Sequence, residues 1–363
     1  MMNQSQNKNN KPFCYNFSPG PAMLPDEIKQ KISQDCLQWG DQPCSILEVS
    51  HRNPLFIQLK QEAEQRLRDL LNIPDYYHVL FLHGGGRGMF SAIPMSLLGD
   101  QDCADYWVTG HWSEQAYKEA CHFGSIRRVD TDNGYPHVDQ VEHDASVKYV
   151  HFCSNETVDG RRFPKPWPQH ATLVCDMSSD ILTQTINVEE FGLIYACTQK
   201  NLGVPGVSIA IVRDDLLHQS HQPVPMIWDL QRQKQTGSMV NTINTFAIYV
   251  LNLLLKWVDD QGGVETMQAL SQRKAQKLYD FIDHSDFYNN SVPEFIRSYV
   301  NVVFELPSPD LEQQFLREAD HLNLLHLNGH AVKGGLRASL YNAMPMAGVD
   351  YLIDFMARFQ NSY

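Results

Sequence analysis

The sequence predicts an α/β protein with a mostly parallel sheet, followed by a smaller unit of α+β type. Two observations support this. From about residue 55 to 215, short apolar runs alternate with amphipathic stretches. After about residue 270 that rhythm stops, and a helical stretch, a strand and a strand-into-turn follow one another.

The expected strands are "YHVLFL" (77–82), "ADYWV" (104–108), "VKYVHFC" (147–153), "ATLVCD" (171–176), "FGLIYACT" (191–198) and "VSIAIV" (207–212). Between them lie helical candidates such as "NPLFIQLKQEAEQRLRDLL" (53–71), whose apolar residues recur at three- and four-residue steps. "TFAIYVLNLLLKWVDD" (245–260) is apolar around most of its circumference. At sixteen residues it is too short to span a bilayer, so a helix packed between subunits or domains is expected. In the later part "LSQRKAQKLYDFID" (270–283) reads as helix, "YVNVVFEL" (299–306) as strand and "GLRASLYNAMP" (335–345) as strand running into a turn. The expected organisation is a disordered tail over 1–12, a large unit over 13–270 and a small C-terminal unit over 271–363. The segment 13–26 is expected to pack with the small unit.

Composition narrows the partners. Hydrophobic residues make up 43% and charged residues 20% of 363, which fits a globular chain rather than a disordered or fibrous one. The net charge of −13 would repel nucleic acid and anionic membrane, so neither is expected as a partner, and an anionic substrate would need a local basic pocket. The eight cysteines form no C-x-x-C pair and lack zinc-ligand spacing, so free thiols in a reducing cytoplasm and no metal site are expected. The polar start "MMNQSQNKNNK" has neither the apolar segment of a signal peptide nor that of an anchor.

Three stretches could carry chemistry. "FLHGGGRGMFSAIPMSLLG" (81–99) runs from strand through glycine turn into helix, exposing N–H groups at Gly86, Arg87 and Gly88 of the kind that bind phosphate. It matches neither the dinucleotide fingerprint nor the P-loop, and a tight turn that merely lets the helix pack remains open. Asp176 ends one buried strand and Lys200 ends the next strand-like run twenty-four residues later, so both would face the crevice beyond the carboxyl ends of the strands. They could form a structural ion pair, or a cofactor could separate them. Pyridoxal phosphate requires a lysine amine, a carboxylate for its pyridine nitrogen, a phosphate cradle and a flat platform. "TGHWSEQ" offers Trp112 for the last of these, although an aromatic at such a turn can equally be core or rim.

Seven ordered blocks then bear on family. They are "NFSPGPAMLP" (16–25), "SILEVSHRNPLFIQ" (45–58), "LHGGGRGMF" (82–90), "SNETVDG" (154–160), "TQKNLG" (198–203), "GSMVNTINTF" (237–246) and "GHAVKGGLRASLYNAMP" (329–345). Together they resemble the phosphoserine aminotransferases of the class V aminotransferase group, over nearly the whole chain from about residue 13. The resemblance implies fold type I, with a large cofactor-binding domain around a seven-stranded-type sheet and a smaller C-terminal domain. It implies pyridoxal 5'-phosphate held by Lys200, which later shuttles the substrate proton, with Asp176 on the pyridine nitrogen, Trp112 stacked on the ring and Thr157 near the ring hydroxyl. Gly86, Arg87 and Gln199 would hold the cofactor phosphate, joined by Asn241 and Thr242 from the partner subunit of a homodimer with shared active sites. Arg337 would take the substrate α-carboxylate, and His51, Arg52, Arg87 and His330 the distal anion.

The implied reaction is reversible amino transfer between O-phospho-L-serine plus 2-oxoglutarate and 3-phosphohydroxypyruvate plus L-glutamate, in serine and pyridoxine biosynthesis. Where the family typically has His-Arg, this chain has His330-Ala331. If the segment is extended, side chains at 331 and 333 share a face, and Lys333 is expected to replace part of the missing charge. "INTF" and "MSSD" depart from the family in smaller ways. Desulfuration is disfavoured, because no cysteine follows Cys197 to act as a mobile nucleophile. A class V aminotransferase with a different small-molecule substrate remains as an alternative, although the basic cluster speaks against a glyoxylate enzyme. Ala331 leaves open a catalytically weakened homologue. His326 and His330 are four apart, but Asn328 and Gly329 break any helix that would make them a metal-binding pair.

Overall fold

The computed structural model describes residues 14–130, 146–165, 167, 171–218, 223–331 and 333–363; the expected tail over 1–12 lies outside them. The first elements are a short strand, β1 (Tyr15–Asn16), and helix α1 (Asp26–Asp35). Helix α2 (Pro54–Leu71) starts where the Asn53 side chain accepts the Leu55 N–H at 2.9 Å and Pro54 takes the first position, which needs no donor. It stops at Asn72, whose φ of 50° lies in the left-handed region that asparagine tolerates.

The alternating region then gives β2 (Tyr77–Leu82), α3 (Gly85–Leu97), β3 (Cys103–Trp107), α4 (His111–Ala120), β4 (Ser125–Val129) and β5 (Val147–Cys153). A two-residue hairpin, β6 (Asn155–Glu156) and β7 (Arg161–Arg162), leads to β8 (Leu173–Asp176), β9 (Leu193–Cys197) and β10 (Ser208–Arg213). Seven of these strands form one sheet in the order β2-β10-β9-β8-β5-β3-β4. Strand β10 is antiparallel to both of its neighbours, and the other pairings are parallel. Successive side chains go to opposite faces, so Ile194 and Ala196 join one core while Leu193 and Tyr195 join the other. Both faces are covered, which is why the strands read as continuous apolar runs instead of alternating ones. The exception is the edge strand β4, "SIRRV", which is mostly exposed. Its Arg127 reaches the buried Asp105 with contacts of 2.7 and 2.6 Å, putting charge where an open edge would otherwise invite pairing.

After α5 (Leu230–Gln235), helix α6 (Thr245–Asp260) begins at Asn244, whose side chain accepts the Ala247 N–H at 3.0 Å. Its nearly all-round apolar surface is covered within the chain by α1, α2 and the next helix, α7 (Gly263–Asp283). Among the described residues no helix is long and apolar enough to cross a membrane. Helix α7 contributes Val264 and Met267 to the core of the large sheet and Ala275, Leu278, Tyr279 and Ile282 to a second core.

That second core surrounds β11 (Asn301–Phe304), α8 (Pro309–His321), β12 (Leu324–Leu325), β13 (Asn328–His330), β14 (Gly334–Ser339) and α9 (Met346–Gln360). Strands β11, β14 and β13 form an antiparallel sheet in that order. The N-terminal β1 pairs in parallel with β12, Tyr15 opposite Leu324, and Phe17 is buried in this core. Buried Lys274 on α7 donates to the carbonyls of Leu340, Tyr341 and Met344 at 3.0, 2.7 and 3.0 Å, holding the turn that follows β14. Burial pushes its ammonium down to about 7.

Candidate active site

The glycine turn sits at the carboxyl end of β2. Gly84 has a φ of 93°, and a Cβ there would come within 2.6 Å of the Trp228 ring, so both backbone and packing require glycine. A Cβ on Gly88 would meet the same ring at 2.9 Å. Helix α3 starts at Gly85, and the Gly88 N–H already donates to the Gly84 carbonyl at 3.2 Å. The orphan N–H groups are therefore those of Gly85, Gly86 and Arg87, one residue earlier than the sequence suggested. No acid lies in this first turn, so the partial positive charge there is uncompensated.

Asp176 ends β8 next to that turn, and Lys200 follows three residues after the end of β9. These two residues, with Gly86, Arg87, Trp112 and Gln199, line one cavity of about 280 Å³. Lys200 and Asp176 make no direct ion pair; the Lys200 Nζ donates instead to Thr157 Oγ1 at 3.1 Å. Burial pushes the Asp176 carboxyl up, opposed by Lys200, Ser178 and Tyr195, and its Oδ1 accepts the Ser178 N–H at 2.8 Å. Burial works against charge on Lys200, but Tyr341, Cys197 and Asp176 outweigh it and leave the amine above its ordinary value. Two polar atoms at the cavity, Trp112 Nε1 and Gln199 Oε1, are buried without partners among the described residues. Orphan donors at a helix start, an aromatic wall, a reactive amine and a facing carboxylate suit a flat, phosphate-bearing aldehyde.

The aromatic wall is held by acids that sequence reading missed. Trp112 is the second residue of α4, and the N–H groups of Trp112 and Ser113 both donate to the Glu156 carboxylate at 2.8 Å. The His111 N–H donates to Asp159 at 2.9 Å, so two carboxylates cap this one helix start. Burial, with Asp159 adding to it, pushes Glu156 up to about 7 against its hydrogen bonds. Because that value lies above the unfolded carboxyl, the folded protein holds an extra proton between about pH 4.3 and 7, and stability falls as pH rises through that window. Glu156→Gln is expected to flatten the slope, removing of order 2–3 kcal/mol of pH dependence. Urea midpoints of parent and variant at pH 5 and pH 8 measure it; parallel slopes would refute the assignment.

The remaining basic residues are distributed differently. Arg87 is exposed, with its guanidinium 5.7 Å from the Trp112 ring centre. Arg337, on β14, is 4% exposed and makes no side-chain hydrogen bond or ion pair with the described residues. Burial pushes its guanidinium down, with Tyr341 opposing. His330 ends β13 with its ring 4.6 Å from that of His111, outside the Lys200 cavity. Residues 331 and 333 lie in a turn closed by the Lys333 N–H on the His330 carbonyl at 2.9 Å. The alternation assumed for an extended segment therefore does not apply, and the Lys333 Nζ is paired with Asp159. His51 and Arg52 precede α2, and Asn241 and Thr242 are exposed before α6; none of the four lines the Lys200 cavity in its own chain.

Other cavity residues had no sequence signal of their own. Asn155, Ser178, Ser179 and Phe90 line it, and the Ser178 Oγ accepts the Cys197 N–H at 3.2 Å. The departure noted at "MSSD" could have pointed to the serines. Among the described residues no group of acids, histidines and cysteines could hold a metal ion.

The family model "Aminotransferase class-V" matches residues 14–352. A phosphoserine aminotransferase of Shewanella sediminis is 46% identical over 358 residues, covering 95% of this chain and 97% of that protein. The solved phosphoserine aminotransferase from Bacillus circulans subsp. alkalophilus superposes with a TM-score of 0.93 at 37% identity, covering 96% of this chain and 99% of that one. A structure of phosphoserine aminotransferase from Trichomonas vaginalis with PLP bound gives 0.91 at 35% identity, covering 95% of this chain and 100% of that one.

Proposed function

This chain belongs to the class-V aminotransferases, and on that premise we propose that it is a phosphoserine aminotransferase using pyridoxal phosphate. It transfers an amino group reversibly between O-phospho-L-serine and 2-oxoglutarate, giving 3-phosphohydroxypyruvate and L-glutamate. The observation that carries this reading is the cavity in which Lys200 and Asp176 face the Gly85–Arg87 helix start without forming an ion pair. Bound there, pyridoxal phosphate supplies an aldehyde that accepts an amino group and a ring that accepts electrons.

The chain's own residues supply the rest. Lys200 Nζ would hold the aldehyde carbon, and its amine is placed to carry the proton to and from the substrate α-carbon. Asp176 keeps the pyridine nitrogen protonated, Trp112 covers the ring and excludes water from one face, and Thr157 orients the Lys200 amine and the ring hydroxyl. The N–H groups of Gly86 and Arg87, with Gln199, bind the cofactor phosphate. Arg337 binds the α-carboxylate, its unpaired and buried guanidinium being suited to a bidentate partner. In a cytoplasmic homodimer, Asn241 and Thr242 reach the cofactor phosphate of the partner subunit, and His51 and Arg52 serve a shared site in the same way. That none of the four lines its own chain's cavity, while Arg52, Asn241 and Thr242 are exposed, supports this. His330, Arg87 and Lys333 form the basic end for the distal anion, and an incoming phosphate competes with Asp159 for Lys333.

Purified protein given glutamate is expected to use 3-phosphohydroxypyruvate with a kcat/KM about 100-fold or more above that for pyruvate, since each charge-assisted contact to the phosphate contributes about 1.5–3 kcal/mol. Equal use of the two keto acids would overturn the substrate assignment. No amino transfer to either would overturn the reaction itself.

A further inference from the structure

Behind Asp176, on the face of the sheet covered by α3 and α4, lies a line of buried polar rings outside the catalytic set. Register pairs Tyr106 with His151, His151 with Val174 and Asp176 with Tyr195 across β3, β5, β8 and β9. Val174 and Asp176 are two residues apart, so all these side chains share one face. His151 Nε2 lies 2.9 Å from the Tyr195 hydroxyl, and both residues are 1% exposed. The imidazole stacks on Tyr106 at 4.5 Å, and Phe90 of α3 covers Tyr195 edge-on at 6.3 Å.

The direction of the hydrogen bond follows from elimination. Burial pushes His151 down to about 3, so the ring is neutral and carries one N–H. Its Nδ1 has no partner among the described residues, and an orphaned buried N–H is the costlier of the two ways to leave it. The favoured tautomer therefore carries its proton on Nε2 and donates it to the Tyr195 oxygen. That frees the tyrosine O–H to point elsewhere, and the group beside it in register is the Asp176 carboxylate, which Tyr195 helps to keep ionised.

We propose that Tyr195 and His151 are positioning residues for Asp176, forming a donor line His151 Nε2–H to Tyr195 O–H to carboxylate. This rests on the pyridoxal-phosphate reading above and deepens it. With its amine free, Lys200 offers Asp176 a nearby cation. With that amine engaged elsewhere, Ser178, through its N–H and hydroxyl, and the Tyr195 O–H would be the donors that hold the carboxylate charged and turned toward the ring nitrogen. A buried carboxylate without them would take a proton instead, and its grip on the pyridine nitrogen would weaken.

The test follows release of pyridoxal phosphate from full-length holoenzyme, together with its absorption band and the melting temperature. Tyr195→Phe and His151→Leu are each expected to weaken cofactor retention by about tenfold and to shift the band, the effect of losing one hydrogen bond to a charged group. Because the two residues act in series, the double variant should fall within about twofold of Tyr195→Phe alone. His151→Gln, whose amide can donate to the same oxygen, should stay within about twofold of the parent. Should His151→Leu fail to fold, Tyr195→Phe, which deletes one oxygen atom, carries the test. Parent-like retention and an unchanged band in Tyr195→Phe would overturn the proposal, as would full additivity in the double variant. A parent protein that binds no pyridoxal phosphate would overturn the functional reading along with it.

Discussion

Lys200→Ala is expected to lower kcat for amino transfer by about 10⁴-fold or more, because proton transfer by a positioned base alone is worth about 10²–10⁴ and the covalent hold is lost as well. The amine has no second candidate in the cavity: among its lining residues the other cation is the exposed Arg87, which does not deprotonate near neutral pH. Lys200→Arg separates charge from nucleophilicity. It retains a cation beside Asp176 and Thr157 but no amine able to bond an aldehyde, so it should be as inactive as the alanine variant. Among the described residues the side chain makes one hydrogen bond, to Thr157, so Lys200→Arg should melt near the parent, whereas Lys200→Ala also removes the cation that opposes burial at Asp176 and should melt lower. Single-turnover measurement with glutamate isolates the chemical step, and an alanine variant that turns over normally would end the account.

Arg337→Met is expected to change activity and stability in opposite directions. Loss of two charge-assisted hydrogen bonds to the α-carboxylate, at about 1.5–3 kcal/mol each, should raise KM for glutamate and for phosphohydroxypyruvate by about 10²–10⁴-fold. Both substrates should suffer alike, since they share that carboxylate and differ at the other end. The same substitution removes a guanidinium that is 4% exposed and meets no acid among the described residues, so the protein without substrate should gain about 1–3 kcal/mol. Steady-state kinetics and urea denaturation on one preparation test both signs. Unchanged KM values would remove Arg337 from the site, and a destabilised variant would show that its charge is balanced in the fold.

The sequence was most readable where burial is symmetrical. Strand β9, covered on both faces, is an uninterrupted apolar run, β2 and β5 are broken only by His78, Lys148 and His151, and Asp176 stands out as a charge ending β8. Strand β4 was invisible for the opposite reason: an exposed edge carries arginines, which read as loop. The juxtaposition of Lys200 and Asp176 could be anticipated because parallel neighbours end on the same side of a sheet. The support for Trp112 could not, because Glu156 and Asp159 cap a helix more than forty residues earlier in the chain. Nor could the role of Trp228, which makes Gly84 and Gly88 obligatory from another 140 residues away. The expectation for Lys333 depended on a local conformation, and the tight turn after β13 replaced it.

Lys274 has a mechanical consequence. Its ammonium clasps three carbonyls of one turn, and the next residues of that turn are tied to the neighbourhood of Lys200: the Asn342 N–H donates to Asn201 at 3.0 Å, and the Tyr341 hydroxyl donates to the Pro19 carbonyl at 2.8 Å. Moving α7 relative to the turn would therefore break these three hydrogen bonds. The turn is thereby a strap between α7 and the surroundings of Lys200, so Lys274→Met should loosen both the C-terminal layer and the cavity beside it.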